Sequence, residues 1–534
     1  MHRVSLLCLM FAACAIAPTN RYGTLHRPIT TKSPLCQHRF DEGLLLCYGF
    51  NHDEAVRHFE QALAADPDCA MAWFGIAHAL GPNINAPLTD KAVAARAHSA
   101  AQKAKALSYM CSPVEQQLIA AICTRYAEPP PDDRAPLDQA FAAAMKQVHV
   151  AFPDDPDVGA LYAESLVDLS PWDYWTKAGE PKANTNEVLA TLEGVLQRHP
   201  NHPQAIHIYI HATEASRQPE KALAAARGLA AIAPACGHLV HMPAHTYQRV
   251  GLYADAIEAN LQGAKLDREY FAEAGPQAIY HFYMAHNQHF ATWSAMYMGD
   301  SASALRMARE CVRDLPPHLL KDMAPFCDGF LAVPWHVMVR FGRWQEVLAE
   351  PQPGAQFPIA RALWHYARGV AHVNLGDLAS AETDASQFDA AARAVPAAAT
   401  IGFSPAAPAL DVARHMLAGE FLFRSGKRAE GLVSLRKAVE LEDDLRYDEP
   451  SSRMTPVRHA LGALLLEHGD IKEAMAVYRE DLARHADNGW SLHGLAEAMR
   501  QAGDPAAAAT EAAYRHAFRH ADVAIAGSCF CRRK

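Results

Sequence analysis

The fold is decided by the stretch Glu54-Ala55-Val56-Arg57-His58-Phe59-Glu60-Gln61-Ala62-Leu63-Ala64-Ala65-Asp66-Pro67, followed by Ala72-Trp73-Phe74-Gly75-Ile76-Ala77-His78-Ala79-Leu80. Apolar residues recur in both pieces at helical spacing. Small side chains stand where neighbouring helices would touch, and an aromatic residue lies between them. The stretch therefore predicts helices joined by short turns.

This pattern resembles the tetratricopeptide repeat (TPR), a 34-residue helix-turn-helix unit. Landmark residues place unit starts at Cys36, Ala70, Pro203, Gly237, Ala285, Asp328, Ala362, Val412, Thr455 and Gly489. Four pairs of starts, 36 to 70, 203 to 237, 328 to 362 and 455 to 489, lie 34 residues apart. The spacing predicts a repeat architecture rather than several separate domains.

Two positions of the unit hold small residues again and again. Position 15 is Gly251, Gly299, Gly376, Gly426, Gly469 and Gly503, and position 20 is Ala55, Ala222, Ala256, Ala304, Ala381, Ala474 and Ala508. We expect both positions to lie at close helix contacts, where only a small side chain fits.

These observations predict an all-α, TPR-like helical-hairpin solenoid, a right-handed superhelix with a concave groove. The expected segments are a signal peptide (1–20), a linker (21–35), N-terminal TPR units (36–110), degenerate helical repeats with loops (111–202), central TPR units (203–345), C-terminal TPR units (346–525) and a tail (526–534).

The composition is that of a globular protein, because half of the 534 residues are hydrophobic and 20% are charged. The net charge of -10 comes without a long basic run, which argues against nucleic-acid binding. The apolar run from Val4 to Ala17 after Met1-His2-Arg3 indicates export to the periplasm or the medium. Phe11-Ala12-Ala13-Cys14 is a poor lipoprotein box, and no later run is long enough to span a membrane.

Histidine is the unusual residue, with 29 copies. Positions 2, 5, 9 and 12 of three consecutive units hold His207, His211, Glu214, His238, His241, His245, His286 and His289. At 100° per residue these positions fall within an arc of roughly 80°, which is one stripe along the first helix of each unit. In TPR proteins a similar stripe lines the concave groove, so the resemblance implies that these side chains face a common hollow.

Such a stripe can bind a metal ion. Histidines at i and i+4 are about 5–6 Å apart, and helices packed about 8–10 Å apart bring imidazoles from adjacent units together. Imidazole suits Cu, Zn and Fe, and the twelve cysteines contain no CxxC pair. The sequence predicts a transition metal, Cu, Zn or Fe, bound by His207, His211, His238, His241, His245, His286 and His289, with Glu214 as a ligand or general base.

Pro243 falls at position 7 of one of these helices, where a proline would clash with the preceding turn. We therefore expect that helix to begin near Met242, with Pro243 in its first turn. His238 and His241 would then lie on the segment that leads into the helix.

The motifs GHLVHMPxH (Gly237–His245) and HNxHF (His286–Phe290) resemble those of an exported TPR family of bacteria and fungi. The likeness covers about residues 37–345. It implies the fold and export, and it implies no particular activity.

Two loops, Gly81–Pro87 and Trp172–Trp175, could form the floor and lid of a small-molecule pocket or could cover an exposed edge of the core. The candidate substrate contacts or outer-sphere residues are His78, Asn83, Asn85, Trp172, Trp175 and His336.

Three functions are compatible with the sequence. The first is a metal-dependent hydrolase or oxidase acting on a small molecule or peptide in the groove. The second is a peptide-binding or protein-binding scaffold, although the stripe has few Lys or Arg to bind a carboxylate. The third is a metal carrier of the cell envelope.

Overall fold

The computed structural model describes residues 21–87, 90–275 and 278–532. The predicted signal peptide lies outside these residues. In the described part, helices follow one another along the chain as hairpins, and the fold is a TPR-like helical solenoid, as the sequence predicts.

The N-terminal part begins with regular hairpins and continues with less regular ones. Its helices are α1 (Pro34–Tyr48), α2 (His52–Ala65), α3 (Ala70–Ala79), α4 (Lys91–Leu107), α5 (Pro113–Ile122), α6 (Ala135–Ala151), α7 (Pro156–Val167) and α8 (Thr185–Arg198). Short 3₁₀ turns cover Ser108–Met110 and Cys123–Arg125.

The central part carries the predicted histidine stripe. Its helices are α9 (Pro203–Glu214), α10 (Leu223–Ile232), α11 (Gly237–His241), α12 (Pro243–Arg249), α13 (Tyr253–Ala274), α14 (Ala278–Met298), α15 (Ser301–Arg313), α16 (Pro317–Asp322), α17 (Ala324–Cys327), α18 (Val333–Arg340) and α19 (Trp344–Ala349). Further 3₁₀ turns cover Pro219–Ala222 and Asp328–Ala332.

The C-terminal part returns to regular hairpins. Its elements are α20 (Pro358–Leu375), α21 (Leu378–Arg393), β1 (Thr400–Ile401), β2 (Ser404–Pro405), α22 (Ala406–Arg424), α23 (Arg428–Asp444), α24 (Val457–His468), α25 (Ile471–Arg484), α26 (Gly489–Gln501) and α27 (Ala507–Ala517). The strands β1 and β2 form a small antiparallel hairpin in the loop before α22.

The small residues of the repeat have two different physical causes. The alanines at position 20 are fully buried between helices, except for Ala508 in the last hairpin, which is exposed. The position 15 glycines instead have positive φ, for example +92° at Gly426 and +101° at Gly469. At both of these glycines no atom lies within 4 Å of where a Cβ would stand, so the left-handed backbone alone requires glycine there. At Gly251 and Gly299 a Cβ would also lie less than 3.0 Å from the Ala486 carbonyl and the Phe518 ring. The predicted close contact is therefore right for these two glycines and wrong for Gly426 and Gly469.

A helix begins at Pro243, as the sequence predicts, because α12 starts there with Met242 as its N-cap. His238 and His241 lie on the segment that leads into α12, and that segment is itself the short helix α11. Met242 keeps helical dihedral angles between the two helices.

The core has two large parts that meet at the centre of the chain. One contains buried residues from Tyr22 to Tyr283, and the other contains buried residues from Ala332 to Cys531. A third group around Phe290, Trp293 and Trp490 joins them. Among the described residues, none of the helices has the length and apolar character that crossing a membrane requires.

Candidate metal centre

The first cluster, here the first triad, consists of His207, His211 and His238. The first two lie one turn apart on α9, and His238 lies on α11 of the next unit. All three side chains are buried, and one ring nitrogen of each lies within 4.8 Å of the others. The packing of consecutive units therefore brings together three imidazoles.

The second triad consists of His241, His245 and His286, which lie on α11, α12 and α14. Their ring nitrogens also lie within 4.8 Å of one another. His241 and His245 remain one turn apart across the break at Pro243. The structure thus places six of the seven predicted ligands in two groups of three.

The distances within the triads suit a shared ion. His207 Nε2 is 3.2 Å from His238 Nε2, and His241 Nε2 is 3.0 Å from His245 Nε2. Two imidazoles bound to one tetrahedral ion at about 2.0–2.1 Å hold their nitrogens roughly 3.3 Å apart. His211 Nε2 is buried with no hydrogen-bond partner in the described part of the chain, a costly arrangement for a polar atom that lacks a ligand.

The opposite ring nitrogens are occupied by hydrogen-bond acceptors. His207 Nδ1 lies 2.7 Å from the Tyr48 carbonyl, and His241 Nδ1 lies 2.7 Å from Asn260 Oδ1. The Asn260 amide donates its Nδ2 proton to Ala256 O, which fixes its orientation. Because these oxygens only accept, Nδ1 carries the proton and Nε2 keeps the lone pair that a metal needs.

Two buried carboxylates lie behind the triads. Glu214 Oε1 is 3.1 Å from His211 Nδ1, and Glu214 Oε2 is 2.5 Å from His245 Nδ1. Glu449 Oε2 is 3.1 Å from the same His245 nitrogen. Glu214 thus bridges one histidine of each triad on the side away from Nε2. Glu214, His245 and Glu449 also form a three-ligand group of their own.

The protonation of the site favours cation binding. Burial, followed by the neighbouring histidines, holds the pKa well below its ordinary value for His207, His211, His238, His241 and His286. These rings are neutral at pH 7. For His245, burial lowers the pKa but Glu214 and Glu449 outweigh it and raise the pKa to about 10. A metal ion would replace that proton as the partner of the buried negative charge.

The two triads are continuous with each other. The rings of His211 and His245 are 5.6 Å apart, and those of His238 and His241 are 5.7 Å apart. Within the first triad the rings of His207 and His238 are 5.0 Å apart. Because the distances between triads resemble those within them, two ions could lie side by side.

A cavity of about 130 Å³ opens onto both triads. His211 and His238 of the first triad and His245 and His286 of the second line it. Its other lining includes five aromatic side chains, those of Trp172, Phe282, Tyr283, Phe330 and Phe403, together with aliphatic residues and the carboxyl groups of Asp448 and Glu449. We call this space the aromatic cavity.

Four of the remaining predicted site residues line the aromatic cavity, namely His289, His336, Asn85 and Trp172. His289, predicted as a metal ligand, belongs to neither triad, and its ring packs 5.5 Å from Phe330. Burial lowers the pKa of His289 to about 3. The Trp172 ring lies edge-on to His211 at 4.9 Å.

The other three lie behind the site. His78 Nε2 is 3.5 Å from Glu164 Oε2 in a buried polar network. Asn83 Oδ1 accepts from the Asn85 backbone N–H and shapes the loop. Trp175 donates its ring N–H to the Ala212 carbonyl of α9. These side chains support the site without lining the cavity.

Phe50 is a site residue that sequence reasoning missed. It occupies position 15 of the first unit and has φ +54°, the left-handed conformation that glycine supplies elsewhere. Its ring lies 4.5 Å from that of His207 and 5.3 Å from that of His238. A bulky residue in this conformation is strained, which is typical of functional sites. The absence of glycine at this position was the available signal.

The C-terminal loops also contribute unexpected residues. Glu449 contacts His245, and Phe403 stacks on Trp172 with 4.7 Å between the ring centres. Trp293 of α14 donates its ring N–H to the Met454 carbonyl at 3.1 Å, and this hydrogen bond holds the loop 445–456 against α14. The loops 399–405 and 445–456 therefore cover the groove that the central units form.

No family model matches the chain, and no curated protein matches it significantly. Among solved structures, it is similar to the human IFIT1 dimer with PPP-AAAA at 13% identity and a TM-score of 0.32, with 90% of each chain covered. It is also similar to the APC/C hetero-tetramer Cut9-Hcn1 at 13% identity and a TM-score of 0.30, with 87% of this chain and 76% of that chain covered. At such distances the likeness carries no information about function.

Proposed function

We propose that the protein binds two transition-metal ions, one in each triad, and uses them to oxidise a small organic molecule. The observation that carries the proposal is the pair of adjacent three-histidine groups, in each of which one ring nitrogen per histidine lies within 4.8 Å of the others. Three ligands leave each ion with an open position for a reactant, which is typical of catalytic sites.

Copper is the ion that we propose. Both triads consist of imidazole alone, which binds copper most strongly among the divalent ions of the first transition row. Glu214 faces the Nδ1 side of the rings, so it is not placed to bridge two ions as a carboxylate of a dinuclear hydrolase would. Two adjacent ions of a redox metal suit reaction with dioxygen. Each dioxygen would take four electrons and four protons from two molecules of a two-electron donor and leave as two waters.

The chain's own residues would orient the ligands and exclude water. The Tyr48 carbonyl, Asn260 and Glu214 hold the imidazoles with their Nε2 lone pairs toward the ions. The loops 399–405 and 445–456 close the groove over the site. The predicted export of the chain, and its motif likeness to an exported TPR family, remain part of this proposal.

The alternatives are less well supported. A peptide-binding scaffold needs an open groove, whereas the space beside the triads is about 130 Å³. A metal carrier needs no adjoining pocket, and this site has one. Zinc-dependent hydrolysis remains the second candidate, because imidazole ligands and the buried Glu214 are also compatible with an activated water.

Metal analysis and spectroscopy test the proposal. The protein is purified without a histidine tag, depleted with chelator and titrated separately with Cu and Zn. We expect about two Cu per chain, and antiferromagnetic coupling that makes the Cu(II) form largely silent in electron paramagnetic resonance. Oxygen consumption with a phenolic reductant should require copper. Uptake of less than a tenth of an equivalent of either metal would overturn the proposal, and activity with Zn alone would favour hydrolysis.

A further inference from the structure

We propose that the aromatic cavity binds a phenol with a single ring, with its hydroxyl group at the edge of the two triads. This inference rests on the proposed function for its chemical consequence, because a phenol with a second ring hydroxyl, a catechol or hydroquinone, would be the donor that gives up two electrons and two protons and leaves as a quinone. The binding step itself depends on the cavity and can be measured without metal.

The volume sets the size of the ligand. An apolar cavity of about 150 Å³ in a protein core accepts benzene, and the aromatic cavity measures about 130 Å³. One substituted ring fits this space, while two fused rings require a wall to move. A long aliphatic chain or a peptide segment does not fit.

The walls favour a flat ring over a saturated one. Trp172 and Phe403 stack on each other and present one side of the cavity. Phe282 and Phe330 also line the cavity. Aromatic pairs contribute beyond the area they bury when rings meet edge-on or offset. Lys and Arg are absent from the described lining of the cavity, which disfavours a carboxylate or phosphate on the ligand.

Asn85 contributes a polar side chain to the lining of the cavity. Asn85 donates its Nδ2 proton to the Tyr283 hydroxyl at 3.4 Å, and the Tyr283 ring lies 4.8 Å from that of His238. Asn85 Oδ1 is buried without a hydrogen-bond partner among the described residues. A ligand hydroxyl could donate to this oxygen, which removes an unfavourable buried acceptor. Because the Tyr283 ring also packs against His238, we expect a hydroxyl bound by Asn85 to lie on the side of the cavity that His238 lines.

The test measures binding of three probes to the metal-free protein by calorimetry. Phenol should bind saturably at one site, toluene should bind at least ten-fold more weakly because it leaves Asn85 Oδ1 unpaired, and 2-naphthol should be excluded. Asn85→Ala should remove the preference for phenol over toluene without weakening toluene. Equal binding of 2-naphthol, or an unchanged preference in Asn85→Ala, would overturn the inference.

Three further variants distinguish a lost binding site from a loss of folding. Val333→Phe fills the cavity and should abolish phenol binding, while Val433→Phe, at an exposed position of α23, should leave it unchanged. Phe330→Ala enlarges the cavity and should admit 2-naphthol, a gain that a misfolded chain cannot show. If Phe330→Ala binds no 2-naphthol while helicity is retained, the assigned wall is wrong.

Copper uptake is measured on the same samples. Copper uptake without saturable phenol binding overturns the inference and leaves the metal proposal standing. Saturable phenol binding without copper uptake supports the inference and overturns the proposed function. The two failures are therefore distinguishable.

Discussion

The histidines of the central units and those of the C-terminal units occupy equivalent places but have different partners. His459 holds position 5 of its unit, as His207 and His241 do in theirs. Its Nε2 lies 2.8 Å from Asp481 Oδ2, and no second histidine joins it in a metal-binding group among the described residues. Its neighbours at the equivalent positions are Ala463 and Trp490.

The same repeat scaffold therefore uses imidazole in two ways. A histidine beside a single carboxylate forms a buried structural pair. Histidines at positions 2, 5 and 9 of consecutive units face each other, and we propose that a metal ion is their shared partner. Variants at each kind of site should separate these two uses, because they change either metal content or the free energy of unfolding.

The largest effect is expected from removing one histidine of each triad. The double variant His211→Ala and His245→Ala should lose copper binding almost completely, because each triad keeps only two imidazoles. Metal content after dialysis is the measurement. His459→Ala is the matched control, and it should keep the metal while losing stability. Metal retention in the double variant would show that the ions bind elsewhere.

Asp481 is the carboxylate of the buried structural pair with His459. Burial opposes its charge, but His459 and Ser491 outweigh burial and hold the pKa of Asp481 far below its ordinary value of 3.8. A carboxylate with a depressed pKa contributes stability that is present above its unfolded value and lost as the pH falls. Asp481→Asn should cost about 1.5–3 kcal/mol at pH 7, because it weakens the charged hydrogen bonds to His459 and Ser491.

The pH dependence of unfolding checks this assignment. In the original protein the free energy of unfolding should fall as the pH drops below about 4. The Asp481→Asn variant should show a shallower fall in that range, with copper binding unchanged. A parallel pH profile for both proteins would contradict the role given to Asp481.

A smaller effect is expected at the outer partner of the second triad. Asn260→Leu removes the acceptor of His241 Nδ1 and should weaken binding of one copper by about 10–100-fold. The first copper, at His207, His211 and His238, should bind as before. Titration should then resolve two unequal steps. Asn374→Leu, on α20, is the control and should leave both steps equal to those of the original protein.

The smallest effect concerns strain away from the site. Asp487 is exposed and has φ +54°, the same left-handed value as Phe50. Asp487→Gly should raise the free energy of unfolding by about 1 kcal/mol, because glycine adopts this conformation without strain. Phe50→Gly should have the opposite sign, since it removes a buried ring against His207. A higher free energy of unfolding for both variants would contradict the role given to Phe50 in the site.

Much of the metal centre could be predicted because it depends on local periodicity. A helix with 3.6 residues per turn places positions 2, 5 and 9 on one face whatever the rest of the chain does. This rule brought His207, His211, His238, His241, His245 and His286 into consideration together. His289 shows its limit. It lies one turn from His286 and lines the same cavity, as the periodicity predicts, but its ring packs against Phe330 rather than joining the second triad.

Other parts of the site had no periodic signal. Glu449 and Phe403 lie in loops about 200 residues or more along the chain from the histidines and tryptophan they contact. Their positions depend on how the C-terminal units pack against the central ones. The sequence shows Phe50 at position 15, where most other units have glycine. Only the structure shows that Phe50 has the positive φ of those glycines.

The sequence by itself determined the repeat, the helix faces and the histidine stripe, because each depends on spacing within one or two units. Only the tertiary structure decided that the stripe divides into two triads, that carboxylates lie behind them and that an aromatic cavity adjoins them. The physical reason is that a metal site is set by distances of a few ångströms between helices, and small changes in the packing of successive hairpins change those distances while leaving the periodicity untouched.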